Sequence, residues 1–87
     1  MARIWIPPLL RDLTGGQAEV DAPGATLRDV LDALEQAHPG LRDRLCADGR
    51  IRPSLAVVVD GAPSRQGLRQ ALTDASEVHF VPAVVGG

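Results

Sequence analysis

Only one stretch of this 87-residue chain has the periodicity of a full amphipathic helix, and that limits how the chain can build a core. Leu27, Val30, Leu31 and Leu34 fall at i, i+3, i+4 and i+7, with Ala37 extending the stripe, while Asp32, Glu35 and Gln36 point elsewhere. Thr26 is a good N-cap. Asp29, three residues on, makes a pair resembling a capping box and favours the positive end of the helix dipole. At the other end His38 precedes Pro39-Gly40, and a residue before proline is disfavoured in the helical region, so the helix stops there. Residues 41–45 can add one further short helical turn. A lone amphipathic helix must bury its stripe against one face of a sheet.

Strand patterns supply that sheet. Residues 2–6 alternate, with Ala2, Ile4 and Ile6 on one face and Arg3 and Trp5 on the other, until Pro7-Pro8 stops them. A loop is expected through Leu9-Leu10-Arg11-Asp12-Leu13 to Thr14-Gly15-Gly16-Gln17, where glycine permits a turn. Residues 18–22 read as a short returning edge strand. Leu55-Ala56-Val57-Val58-Val59, ended by Asp60-Gly61, is the strongest strand. Residues 62–72 read as a short strand and a helical turn around Leu68 and Leu72, and Glu77-Val78-His79-Phe80-Val81 as a last strand closed by Pro82. Periodicity supports an α+β class, one main helix on one face of a mixed sheet. First and last strands side by side at the centre of that sheet would make it a β-grasp, or ubiquitin-like, fold; the strand order itself is not fixed by periodicity.

At this length a chain buries about 60–65% of the surface its unfolded form exposes, enough for one modest core. Apolar residues are 45% of the chain and charged residues 23%, and the net charge of −2 gives no reason to expect nucleic acid or an anionic membrane as partner. No apolar run approaches the roughly 20 residues of a membrane span. The start of the chain lacks a signal-peptide pattern, and a single cysteine, Cys46, excludes an internal disulfide framework, so the expected compartment is the cytoplasm. All nine basic side chains are arginines. The chain therefore has no lysine to form a Schiff base, and none to accept a further copy in a chain of conjugates.

The usual seats of chemistry are nearly empty. Cys46, His38 and His79 have no ligand spacing for a metal, and no third group orients a Cys–His pair. Cys46, beside Ala47-Asp48-Gly49, reads as an incidental residue in a loop. Gly15-Gly16 is too short to cradle phosphate. No catalytic residue, metal site or bound cofactor is expected.

Gly86-Gly87 differs because of where it stands. With glycine near 7% of residues, a chain ends in Gly-Gly by chance about once in 200. A terminal carboxylate that must enter another protein's active site needs a thin, extended lead, and glycine has no Cβ to obstruct a narrow channel. Residues 1–82 are thus expected to form the domain. Ala83, Val84, Val85, Gly86 and Gly87 are expected to form a flexible tail that enters partner active sites, with the Gly87 carboxylate as its working group.

The ending Phe80-Val81-Pro82-Ala83-Val84-Val85-Gly86-Gly87 resembles the Pro-x-Val-x-Gly-Gly tail of the MoaD/ThiS sulfur carriers, and the resemblance spans the chain. Asp74-Ala75-Ser76-Glu77-Val78 stands where that family usually has an "Asp-Gly-Asp-Glu-Val"-like turn, with Ala75 in place of the glycine. Ile6-Pro7-Pro8-Leu9-Leu10-Arg11, followed by Thr14-Gly15-Gly16-Gln17, is more similar to the CysO-type carriers of cysteine biosynthesis than to MoaD proteins proper. The latter usually carry a "Phe-Ala-x-x-Arg-Glu" stretch there.

The resemblance implies a mechanism. A ubiquitin-activating-type adenylyltransferase (MoeB/ThiF-like) uses ATP to adenylate the Gly87 carboxylate, and a sulfide equivalent displaces AMP to leave a thiocarboxylate. A sulfur-accepting enzyme then takes the sulfur: a cysteine synthase-like enzyme or, if the chain is a small subunit of molybdopterin synthase, the large subunit. The carrier itself is not an enzyme. A ubiquitin-like protein modifier and a plain interaction module are the alternatives of another class.

Strand alternation adds a second expectation. If Ala2, Ile4 and Ile6 face the helix, Trp5 faces out; by the same rule Ala56, Val58, His79 and Val81 face out. With the first and last strands adjacent, Trp5, Val58 and Val81, with His79 among them, form an apolar patch on the uncovered face and a candidate partner-binding surface.

Overall fold

The computed structural model describes residues 1–83. Five strands form one sheet: β1 (Ala2–Trp5), β2 (Glu19–Ala22), β5 (Leu55–Val59), β6 (Ala62–Pro63) and β7 (Glu77–Pro82), in the order β2-β1-β7-β5-β6. β1 and β7 run parallel at the centre, with Ile4 opposite Val78 and Trp5 opposite His79, and every other pairing is antiparallel. The principal helix α1 (Leu27–Ala37) and the short α2 (Leu41–Leu45) pack on one face. This is the β-grasp arrangement, a mixed sheet with helices on one side.

The expected faces hold. Ala2, Ile4 and Ile6 are buried, as are Val57, Val78 and Phe80, and Leu55 and Val59 pack against the same core. From the helix come Leu27, Val30, Leu31 and Leu34, all nearly inaccessible, each contributing about 1.5–3 kcal/mol of burial before entropy is counted. The Thr26 hydroxyl accepts the Asp29 N–H at 3.3 Å, satisfying one of the orphan donors of the first turn. A second orphan, the Leu27 N–H, donates to the Gln70 carbonyl at 2.9 Å, and the Leu72 N–H donates to the Ala25 carbonyl. The 70–72 segment is thereby tied to the start of the helix. Gly24 packs against that start so closely that a Cβ would lie 2.7 Å from Asp29 Cβ and 2.8 Å from the Val30 nitrogen, a space only glycine leaves free.

Three local expectations need correction. The segment expected as a loop from Leu9 is a 3-10 helix, Pro8–Thr14, in which Pro8 needs no hydrogen-bonded N–H and Leu10 and Thr14 are buried. The Thr14 hydroxyl, within hydrogen-bond reach of the Arg11 and Gln17 carbonyls, closes the turn that Gly15 makes in the left-handed region. Cys46 is not in a loop. It begins β3 (Cys46–Ala47), which pairs with β4 (Arg50–Ile51) through Asp48 and Gly49, both at positive φ. That is the Asp-Gly hairpin chemistry also used by Asp60-Gly61 between β5 and β6. Burial in the core raises the Cys46 thiol pKa and makes the group inert.

The third correction concerns Pro82, which does not lie just beyond the last strand but is its final residue, opposite Leu55. The next residue, Ala83, donates its N–H to the Ser54 carbonyl at 2.9 Å. In an antiparallel ladder that leaves position 82 with its nitrogen turned from β5 toward the side of β1, which has already left the sheet, so the missing N–H costs nothing.

Glu35 joins the two helices. Its carboxylate accepts the Gly40 N–H at 2.9 Å and the Arg42 N–H at 3.0 Å, serving the start of α2. The Gly40 bond, then the Arg42 bond, holds its carboxyl below the ordinary value. A carboxyl depressed by folding stabilises the fold above its unfolded pKa and loses that contribution as pH falls through the folded value. Glu35→Gln is therefore expected to lower the urea midpoint at neutral pH. The difference from wild type should shrink in acid below the ordinary carboxylate range, and a constant difference across that range would contradict the account.

Candidate functional site

The sheet face away from the helices presents one continuous row across all five strands. Glu19, Trp5, His79, Val58 and Pro63 stand side by side, each opposite the next in register. Trp5 and His79 stack, with ring centroids 5.2 Å apart and planes within 9° of parallel. Trp5, Val58 and His79 are half-buried, as are Ala56 and Val81 in the next row. The four residues expected on this face are thus brought together. Ala56, opposite Val81, completes the patch.

The face has a polarity gradient. At the end where β7 begins, Arg3 lies between Asp21 and Glu77, with Nε 3.6 Å from the Asp21 carboxylate and a guanidinium nitrogen 3.9 Å from that of Glu19. These pairs are half exposed and contribute about 1 kcal/mol or less each. At the other end, where β7 delivers the chain to Ala83, the outward residues are Val81 and Ala56. Because β1 and β7 are parallel, β1 leaves the sheet at that same end. The 3-10 helix that follows exposes Leu9, a leucine 88% accessible beside the buried Leu10. The residue reading passed over Leu9, although a leucine pair in a proline-initiated turn can bury only one member.

One polar group on this face is unusual. The Trp5 indole N–H is enclosed yet meets no acceptor among the described residues, an arrangement that costs about 1–3 kcal/mol. Of the expected tail, Ala83 is described and half-buried; Val84, Val85, Gly86 and Gly87 lie outside the described residues. Among the described residues no group of three or more His, Cys, Asp or Glu side chains is placed to hold a metal ion. No described helix is long and apolar enough to cross a membrane.

Comparison with known proteins decides the family: the ThiS family model matches residues 4–87. The chain belongs to the ThiS family. Among its relatives, sulfur carrier protein CysO of Mycobacterium tuberculosis is 37% identical over 89 residues, covering 97% of this chain and 96% of that one. A chain in the crystal structure of the Amycolatopsis orientalis BexX/CysO complex superposes with a TM-score of 0.90 over the whole of both chains, at 32% identity. Small archaeal modifier protein 3 of Haloferax volcanii is 38% identical over 65 residues, which is 72% of this chain and 71% of that protein. The family match and the two CysO likenesses extend over the strands that build the outer face.

Proposed function

We propose that the chain is a sulfur carrier of the CysO kind, a protein co-substrate that catalyses nothing itself. The observation that carries this is the family match running through Gly87, on a fold whose apolar outer face leads to the end at which β7 hands the chain on. The Gly87 carboxylate attacks the α-phosphate of ATP in a MoeB/ThiF-like activating enzyme, giving an acyl-adenylate and pyrophosphate. A sulfide equivalent then forms the C–S bond, AMP leaves with one former carboxylate oxygen, and a thiocarboxylate remains. Thiocarboxylic acids are stronger acids than thiols, so the sulfur is ionised and nucleophilic at neutral pH without a side-chain base. Residues 83–87 act as the lead that enters the enzyme, and a cysteine synthase-like acceptor takes the sulfur in the cytoplasm.

Trp5, Val58, His79 and Val81, with Leu9 at their edge, are the docking surface for the activating enzyme. Trp5→Ala is expected to stay folded, since the outer face is not the core, and to lower kcat/KM for activation by roughly 30-fold, the loss of a hot spot worth about 2 kcal/mol. Activation as fast as wild type would remove this surface from the mechanism.

The first test of the carrier reading is intact mass spectrometry after incubation with an activating enzyme of this type, ATP and sulfide. The expected product is heavier by the replacement of one oxygen with sulfur. A folded protein that gains nothing with several such enzymes is not a carrier. The likeness to the Haloferax modifier protein favours a second reading, attachment to other proteins through Gly87. Covalent conjugates of the tagged chain in cell lysate, with no thiocarboxylate, would establish it instead.

A further inference from the structure

Away from the Trp5 face, at the β6 edge of the helix layer, lies a second feature of the surface. A hollow of about 360 Å³ is rimmed by Arg28, Arg50, Arg65 and Arg69, with Ile51 and Leu68 also in its wall and no acidic side chain lining it. A second hollow of about 420 Å³, between Arg65, Gln66 and Arg69, continues it. The arginines come from three separate segments: the first turn of α1, the β4 side of the β3–β4 hairpin, and the chain around the second 3-10 helix, Gly67–Arg69. The fold holds these segments together through the bond from Leu27 N–H to the Gln70 carbonyl and through burial of Leu68 against the core.

The other arginines show what is particular here. Arg3 and Arg42 pair with carboxylates, and Arg11 and Arg52 donate to backbone carbonyls. Among the described residues, Arg28, Arg44, Arg50, Arg65 and Arg69 have neither kind of partner. Four of those five meet around this one hollow, in a chain whose net charge is −2. Like charges gathered without a counter-charge do not stabilise a fold.

We propose that this basic hollow is a docking site for an acidic patch, several Asp or Glu side chains, on a partner protein. Guanidinium groups match carboxylates in bidentate geometry. Each exposed pair is worth about 1 kcal/mol or less, so a single small anion is not retained. Several carboxylates on one surface engage the four arginines together and are steered toward them before contact. Nucleic acid is the other polyanion, but the hollow has no aromatic ring on which a base could stack, and the molecule carries net negative charge. The site shares no lining residue with the Trp5 face.

The test is an NMR titration of the full labelled chain, following arginine Nε–H and backbone amide signals, with three probes: a capped oligoglutamate peptide, oligothymidylate and inorganic triphosphate. Oligoglutamate is expected to shift Arg28, Arg50, Arg65, Arg69 and the 65–69 amides saturably at low salt, leave the Trp5 indole unmoved, and lose its effect near 0.5 M salt, where charges are screened beyond about 4 Å. An Arg65→Gln/Arg69→Gln variant, folded by circular dichroism, is expected to bind roughly three- to tenfold more weakly. Shifts spread evenly over all nine arginines, tighter binding of oligothymidylate or triphosphate, or undiminished binding by the double variant would each overturn the proposal. None of these outcomes bears on thiocarboxylate formation, so the two readings fail separately.

Discussion

Removing Gly86 and Gly87 is expected to abolish thiocarboxylate formation altogether while leaving the unfolding transition of the domain where it was. The carrier reading gives this protein one reacting group, and truncation moves the carboxylate two residues back along the lead. Effective molarity falls steeply once a reacting atom is displaced by an ångström or more, and two extended residues are about 7 Å. Moreover, the new terminal residue, Val85, carries a β-branched side chain where a narrow channel has room for none. No described core residue lies near the deleted pair in sequence; the last one is Phe80. Stability is therefore expected to be unchanged in urea. Gly86→Val, which keeps the terminal carboxylate but thickens the lead, should lower kcat/KM for activation by roughly 10²-fold. A truncated chain that still takes up sulfur would remove Gly87 from the mechanism.

Ile4→Ala is expected to cost about 2–5 kcal/mol of folding free energy, a large part of the roughly 5–15 kcal/mol that holds a small domain together. Ile4 is fully buried in β1, paired with Val20 on one side and Val78 on the other, so the cavity opens at the middle of the sheet under α1. Neither neighbour can move in to fill it, because both strands are fixed by their ladders. Ile4→Val, which removes one methylene, should cost about 0.5–1.5 kcal/mol. Both are read from urea midpoints at constant m-value. The alanine variant is expected to lose thiocarboxylation only in proportion to the fraction unfolded. An Ile4→Ala midpoint equal to wild type would mean that β1 is not an interior strand of the sheet.

The helix, its cap at Thr26 and the facing of every long strand were legible in the sequence because each depends on local periodicity. Leu27, Val30, Leu31 and Leu34 can share a face only in a helix, and Ile4 and Trp5 can only oppose one another in a strand. The outer patch followed from the same alternation once β1 and β7 were taken as neighbours. The β3–β4 hairpin was also written locally, in Asp48-Gly49, the same signal as Asp60-Gly61, but its strands are two residues each and show no alternation to read. The Gly-Gly end stood out by position alone.

What the chain by itself could not decide was which strands touch, since β1 and β7 are separated by most of its length and pair through hydrogen bonds that carry no sequence period. That parallel pairing sets His79 against Trp5 as a stacked pair and sends the exposed Leu9 and the end of β7 to the same end of the sheet. It also took tertiary structure to gather Arg28, Arg50, Arg65 and Arg69 around one hollow, because a charged side chain follows no rule of burial that would reveal its neighbours. Periodicity records the boundary between core and water. The company a residue keeps on the surface depends on how distant segments are laid together, and only the assembled fold fixes that.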